Sequence, residues 1–182
     1  MAGLSPLSLD LPAVRRATLP DAAAIARVHV ASWRETYDGL LPDRRILSAS
    51  EDDRLRLWQS ALAPRPGAPT VFIAHPGGQM SGFLCMGRQR SPALDGMGYD
   101  REISALYLLS AVQGRGLGRA LMSLAAHHVL DTKGRGLALW ALAANSRACG
   151  FYAALGGRPV AERTDGDGLQ RAFAWDDPGV LL

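Results

Sequence analysis

Apolar positions recur along the chain with two different periods, and the alternation between them predicts its elements. Ala13–Ala17 is a short strand candidate. Beyond it, Ile25, Val28, His29, Ser32 and Trp33 fall three and four residues apart, which aligns them on one side of a helix. Thr18 with Asp21 three positions on is a helix-start signal, Pro20 is tolerated in the first turn, and Gly39 and Pro42 stop the element. A second start, Ser50 with Asp53, opens a helix with Leu55, Trp58 and Leu62 on one stripe. The period then changes. Thr70–Ala74 and Ser81–Arg88 predict two strands joined at Pro76-Gly77-Gly78, and Glu102–Leu109 a third. Ala111–Gly118 is a glycine-rich turn, followed by a helix with Leu117, Leu121, Leu124 and His128 at helical spacing. Leu137–Leu142 is apolar throughout, as a buried parallel strand would be. Asn145 is placed to cap a helix bearing Ala148, Phe151, Tyr152 and Leu155, which ends at Gly156-Gly157. Two last strands, Pro159–Arg163 and Leu169–Trp175, flank the turn Asp165-Gly166-Asp167-Gly168.

This order predicts an α/β protein, a central mixed β-sheet with helices on both faces. Residues 1–12 lack periodicity and read as a flexible tail, leaving one domain over 13–178. The connection Gln89–Asp100, with Pro92, Gly96 and Gly98, is long enough to serve as a binding element or lid.

The chain's 182 residues suffice for a real core. Hydrophobic residues make up 48% and charged residues 20%, which removes disordered and fibrous classes. Twenty Lys and Arg against 17 Asp and Glu leave +3, with the arginines scattered, so nucleic acid is not an expected partner. Cys85 and Cys149 both sit in apolar settings and read as small hydrophobes in a reducing compartment. His127 and His128 are adjacent rather than four apart, and no zinc-type spacing occurs, so no metal is expected. No apolar run is long enough to span a membrane, and the N-terminus lacks the order of a signal peptide; a cytoplasmic location follows as the expectation.

The turn Gln113-Gly114-Arg115-Gly116-Leu117-Gly118-Arg119 carries the most chemistry. Backbone N–H groups at a helix start are unpaired and partly positive, and glycines let a pyrophosphate approach them. Arg115 or Arg119 could add charge. A dinucleotide fingerprint from Gly114 would need Gly where Arg119 stands, and a Walker A loop would need Gly-Lys-Ser/Thr, which is absent. A tight turn without a ligand remains open on the loop alone.

With its context the segment resembles the GNAT superfamily of N-acetyltransferases. Gln113–Gly118 matches the pattern Gln/Arg-x-x-Gly-x-Gly/Ala; Asn145–Tyr152 followed by Gly156-Gly157 looks like the second motif; and Ala31–Pro42 is similar to the first-helix region of one bacterial branch. The resemblance runs from about Val14 to Trp175. Ser110 departs from it, standing where that branch usually has Pro. It implies acetyl-CoA as co-substrate, with the amides of Gln113, Gly114, Arg115, Gly116, Leu117, Gly118 and Arg119 on the pyrophosphate. It also implies pairing of the pantetheine arm along Tyr107 and Leu108, with the Leu108 amide on the thioester oxygen and Asn145 facing the arm. The implied reaction is direct acetyl transfer to a primary amine, of a small molecule or peptide; a homodimer is a possible assembly. A non-catalytic acyl-CoA sensor of the same fold is the alternative.

The resemblance also implies that Tyr152 protonates the departing thiolate, where helical spacing alone would make it a core aromatic. Glu102 is either the base that deprotonates the amine, directly or through water, or an ordinary strand end. Strand alternation places it on one face with Ser104, Leu106 and Leu108. His29 is a weaker candidate base. Trp33 and Tyr37, four apart, are expected to wall the acceptor pocket or to pack in the core.

Overall fold

The computed structural model describes residues 14–42 and 50–182. The proposed tail at 1–12 lies outside them. The elements are β1 (Val14–Arg16), α1 (Ala22–Tyr37), α2 (Glu51–Leu62), β2 (Thr70–Ala74), β3 (Gly82–Arg88), α3 (Pro92–Gly96), β4 (Arg101–Leu108), α4 (Leu117–Asp131), β5 (Leu137–Leu142), α5 (Ser146–Ala154), β6 (Arg158–Asp165) and β7 (Gly168–Trp175). The strands form one seven-stranded sheet in the order β1-β2-β3-β4-β5-β7-β6. All neighbours are antiparallel except β4 and β5.

Local chemistry sets the helix starts. The Thr18 amide donates to the Asp21 carboxylate at 2.8 Å, and Arg15 holds the same carboxylate through two bonds of 2.9 Å. This closes a 3-10 turn over Leu19–Asp21 that leads into α1. Ser50 Oγ accepts the Asp53 amide at 3.0 Å, and Glu51, Asp52 and Asp53 place negative charge on the positive end of α2.

The sheet has a core on each face. α4 and α5 cover one, burying Leu121, Met122, Leu139, Phe173 and Trp175; α1 and α2 cover the other, burying Ile25, Val28, Trp58, Ile73 and Phe83. Each such side chain contributes roughly 1.5–3 kcal/mol on burial, which fixes the helices to their faces far more firmly than propensity does. Trp175 keeps its indole satisfied by donating to the Leu155 carbonyl at 2.9 Å. The packed chain continues beyond residue 178, because Leu181 is buried in the α4–α5 core.

Two expectations are corrected. The 89–100 connection is no lid: it contains α3, and Leu94 and Tyr99 are buried against Ala138, Ala172 and Ala174. Strand alternation fails in β4. Cys85 of β3 faces Ala105 while Met86 faces Ile103, so Ser104 is an extra residue, a β-bulge. The bulge exchanges the faces. Ile103, Leu106 and Leu108 lie in the α4–α5 core, whereas Ala105 and Tyr107 face α1 and α2, with Glu102 on their side.

Candidate active site

β4 and β5 pair only from Arg101–Ile103 to Leu137–Leu139. Beyond that the parallel strands diverge, and a cavity of about 770 Å³ fills the opening. Its wall includes Ser104 to Leu108 of β4, the Gln113–Gly118 turn, Arg119, Asn145, Phe151 and Tyr152, and on its far side Glu35, Tyr37, Leu40 and Trp140.

The turn at the head of α4 presents its backbone. Gly114 and Gly116 have φ of +76° and +81°, a left-handed conformation that glycine adopts without the steric cost of a side chain. A Cβ built at either meets nothing within 4 Å, so the backbone borders open space. The amides of residues 114–119 have no acceptor among the described residues, whereas those of Gln113 and Ala120 bond Ser110 and Gly116. Unpaired amides at the start of a 15-residue helix form an anion cradle, and this donor set fits a pyrophosphate. Gly118 is glycine for another reason: a Cβ there would stand 3.0 Å from the Phe151 ring.

The other expected cofactor residues are placed unequally. Gln113 lines the cavity while its side-chain amide donates to the Leu108 carbonyl at 2.8 Å, tying the turn to the strand. The Leu109 amide bonds Ser81 on the β3 side at 2.9 Å, so alternation turns the Leu108 amide toward the opening. Leu117 is a buried core side chain and offers only its backbone. Arg119 is on the wall; Arg115 is exposed and off it. Asn145 lines the cavity and its Oδ1 caps α5 through the Ala148 amide at 3.1 Å.

Three tyrosines meet at the far end. The Tyr37 and Tyr107 hydroxyls are 3.2 Å apart, and Tyr152, buried on α5, is close enough to bear on the titration of Tyr107 and to feel that of Tyr37. Burial, and then the neighbouring phenols, push the Tyr107 and Tyr152 pKa values well above the ordinary phenol value, so both stay protonated at neutral pH. The Tyr152 hydroxyl makes no hydrogen bond within the described residues, and the residue lines the cavity. Trp33 packs against Tyr37 in a tilted pair with ring centroids 4.5 Å apart and stands behind the wall rather than in it.

Glu102 is elsewhere. It is off the cavity wall, and its carboxylate accepts the Arg90 side chain at 2.8 and 2.9 Å and the Arg90 amide at 3.1 Å. His29 is buried, accepts the Trp58 indole N–H on Nδ1 at 3.1 Å and stacks on Tyr107. Burial first, and then the Arg54 charge, push its pKa down to about 3. Trp140 and Phe151 are walls that the spacing does not single out: Trp140 lies on β5 where it diverges from β4, and Phe151 is brought to the cavity by α5.

A mixed sheet opened between two parallel strands, with an amide-lined turn at the mouth, defines an α/β fold built to hold an anionic cofactor there. Residues 31–156 match the model of the acetyltransferase (GNAT) family, and the chain belongs to it. It is 37% identical over 101 residues to the uncharacterized N-acetyltransferase YuaI of Bacillus subtilis, covering 55% of this chain and 54% of that protein, so the match spans about half the relative's length. The fold is similar to that of the PaiA N-acetyltransferase from Thermoplasma acidophilum in complex with coenzyme A (TM-score 0.69, 20% identity, 90% of this chain and 98% of that one). It is also similar to that of yncA from Salmonella typhimurium with acetyl-CoA (TM-score 0.67, 20% identity, 91% and 93%). Among the described residues, no helix is long and apolar enough to cross a membrane, and no three His, Cys, Asp or Glu side chains form a metal set.

Proposed function

We propose that the protein transfers an acetyl group from acetyl-CoA to a primary amine by direct attack in a ternary complex. The observation that carries this reading is the run of unpaired amides at residues 114–119, opening into a cavity that ends at Tyr152. Those amides hold the pyrophosphate. The pantetheine arm lies along β4 as an added strand, and the Leu108 amide donates to the thioester oxygen as it gains charge. The amine nitrogen attacks the thioester carbon, the C–S bond breaks, and the departing sulfur takes the Tyr152 proton. Burial makes a lasting phenolate costly, so the proton shed by the attacking nitrogen returns to Tyr152 through water. With Glu102 bound to Arg90 and His29 held neutral by burial, the amine enters by losing its first proton to solvent.

Acetyl-CoA should raise the melting temperature, because a ligand specific to the native state stabilises it by mass action. Free thiol should appear only when an amine from a test panel is added. Stabilisation without thiol release on any amine would make the protein an acyl-CoA sensor instead.

A further inference from the structure

We propose that Glu35 receives the acceptor amine in its protonated form, so that the site takes alkylamines charged at neutral pH in preference to uncharged arylamines. This rests on the acetyl-transfer reading above and names the substrate class of the same site. Among the described residues Glu35 is the one acidic side chain on the cavity wall. It is exposed, so a ligand entering the cavity can reach it. Its Oε2 accepts the Ser110 amide at 2.7 Å, which fixes the carboxylate, and Oε1 has no hydrogen-bond partner among the described residues. Ser110 follows Leu108 by two residues, about 6–7 Å along an extended chain. The carboxylate therefore stands close to the amide proposed to hold the thioester oxygen.

Charge divides the wall. Its cations, Arg119 and Arg147, lie in the first turns of α4 and α5, where positive charge suits the cofactor's phosphates. Glu35 lies instead in the last turn of α1, where a carboxylate works against the helix dipole and local stability favours a cation. Breaking that rule on a cavity wall is what a ligand-binding position does. Asp167, in the turn between β6 and β7, adds negative charge nearby: burial raises the Tyr37 pKa, and the Asp167 charge adds to that rise. An alkylammonium would donate to Glu35 Oε1 in a charge-assisted bond. Having lost its first proton to solvent, it would then be a short step from the thioester carbon.

The test pairs benzylamine, protonated at neutral pH, with aniline, uncharged there, and follows both acetylation and calorimetric binding to the coenzyme A complex. Glu35→Gln removes the charge while its side-chain oxygen still accepts the Ser110 amide, so melting temperature and coenzyme A affinity should hold. KM for benzylamine should rise about 3- to 10-fold with kcat close to wild type, the range of a partly solvated charge-assisted contact, and aniline should be spared. Added salt should shrink the difference, since exposed charges are screened. Asp38→Asn, which removes an exposed carboxylate three residues on and off the wall, should leave both amines as they were. An unaltered benzylamine KM, an equal rise for both amines, or no binding of benzylamine to the wild-type complex would overturn the assignment. An equal rise would leave Glu35 as a tie between α1 and the Ser110 turn. Failure of the wild type to release thiol with any amine sinks the transferase reading, whereas thiol release with an unaltered benzylamine KM in Glu35→Gln sinks this one alone.

Discussion

Glu102 and Arg90 form a three-bond clasp in which a buried carboxylate is capped by a largely exposed guanidinium, with side-chain exposures of 8% and 71%. A carboxylate in this position stabilises the turn out of β3 rather than taking a proton from a substrate. Glu102→Gln should therefore cost about 1–2 kcal/mol in denaturant unfolding, the worth of a partly solvated charge-assisted bond. Its kcat/KM should keep the wild-type dependence on pH, which follows the acceptor amine's own pKa. A loss of activity confined to low pH would return Glu102 to the chemistry.

Gly116 offers a cleaner probe of the proposed phosphate cradle than Gly118. A Cβ at 116 meets no atom within 4 Å, and the substitution costs roughly 1–2 kcal/mol for the left-handed backbone, which a domain of ordinary stability survives. It sets a carboxylate among the amides proposed to hold a pyrophosphate. Gly116→Glu should remain folded by circular dichroism and lose coenzyme A binding by calorimetry. Gly118→Glu would strike the Phe151 ring and confuse crowding with unfolding.

The parts of this architecture legible in the sequence are those written in short segments. The turn from Gln113 to Gly118 and the uniformly apolar β5 carry their signals within eight residues. The bulge at Ser104 does not, because it exists only in the register of β4 against Cys85 and Met86. One extra residue there was enough to reverse the expected face of Glu102. Leu94 and Tyr99 likewise fall within the long Pro- and Gly-containing connection 89–100, and only the sheet surface under them makes them core. Tyr37 and Tyr107 are 70 residues apart, and Arg54 reads as a solvated helix position until Trp33 lies beneath it.

Tyr152 tests the leaving-group step. Its ring packs on Phe173 and Trp175, while its hydroxyl has no hydrogen-bond partner among the described residues. Tyr152→Phe should thus keep its stability within about 0.5 kcal/mol and keep its coenzyme A affinity. Turnover should fall by about 10²- to 10⁴-fold, as for a lost general acid. A stable, cofactor-binding Phe variant with near-normal turnover would leave Tyr152 as a packing residue only.

His29 sets how the fold responds to acid. Its native pKa, pushed down to about 3 by burial, lies below the roughly 6.5 of an unfolded histidine. Between those values the unfolded chain binds a proton that the native state refuses. The stability contributed by the neutral ring is complete above about pH 6.5 and is lost progressively as pH falls toward 3. From pH 7 to 4.5 the loss should be about 2–3 kcal/mol. Asp21, whose carboxylate is held ionised by Arg15, titrates lower; His128, whose pKa burial also lowers, shares this window but does so equally in wild type and in a His29 variant. His29→Gln keeps an acceptor for the Trp58 indole and removes the titration. Its unfolding free energy should start lower at pH 7, because the stack on Tyr107 is gone, yet fall by about 2–3 kcal/mol less than wild type on going to pH 4.5. Urea melts at the two pH values measure both slopes, and parallel losses in the two proteins would show that His29 does not govern acid stability.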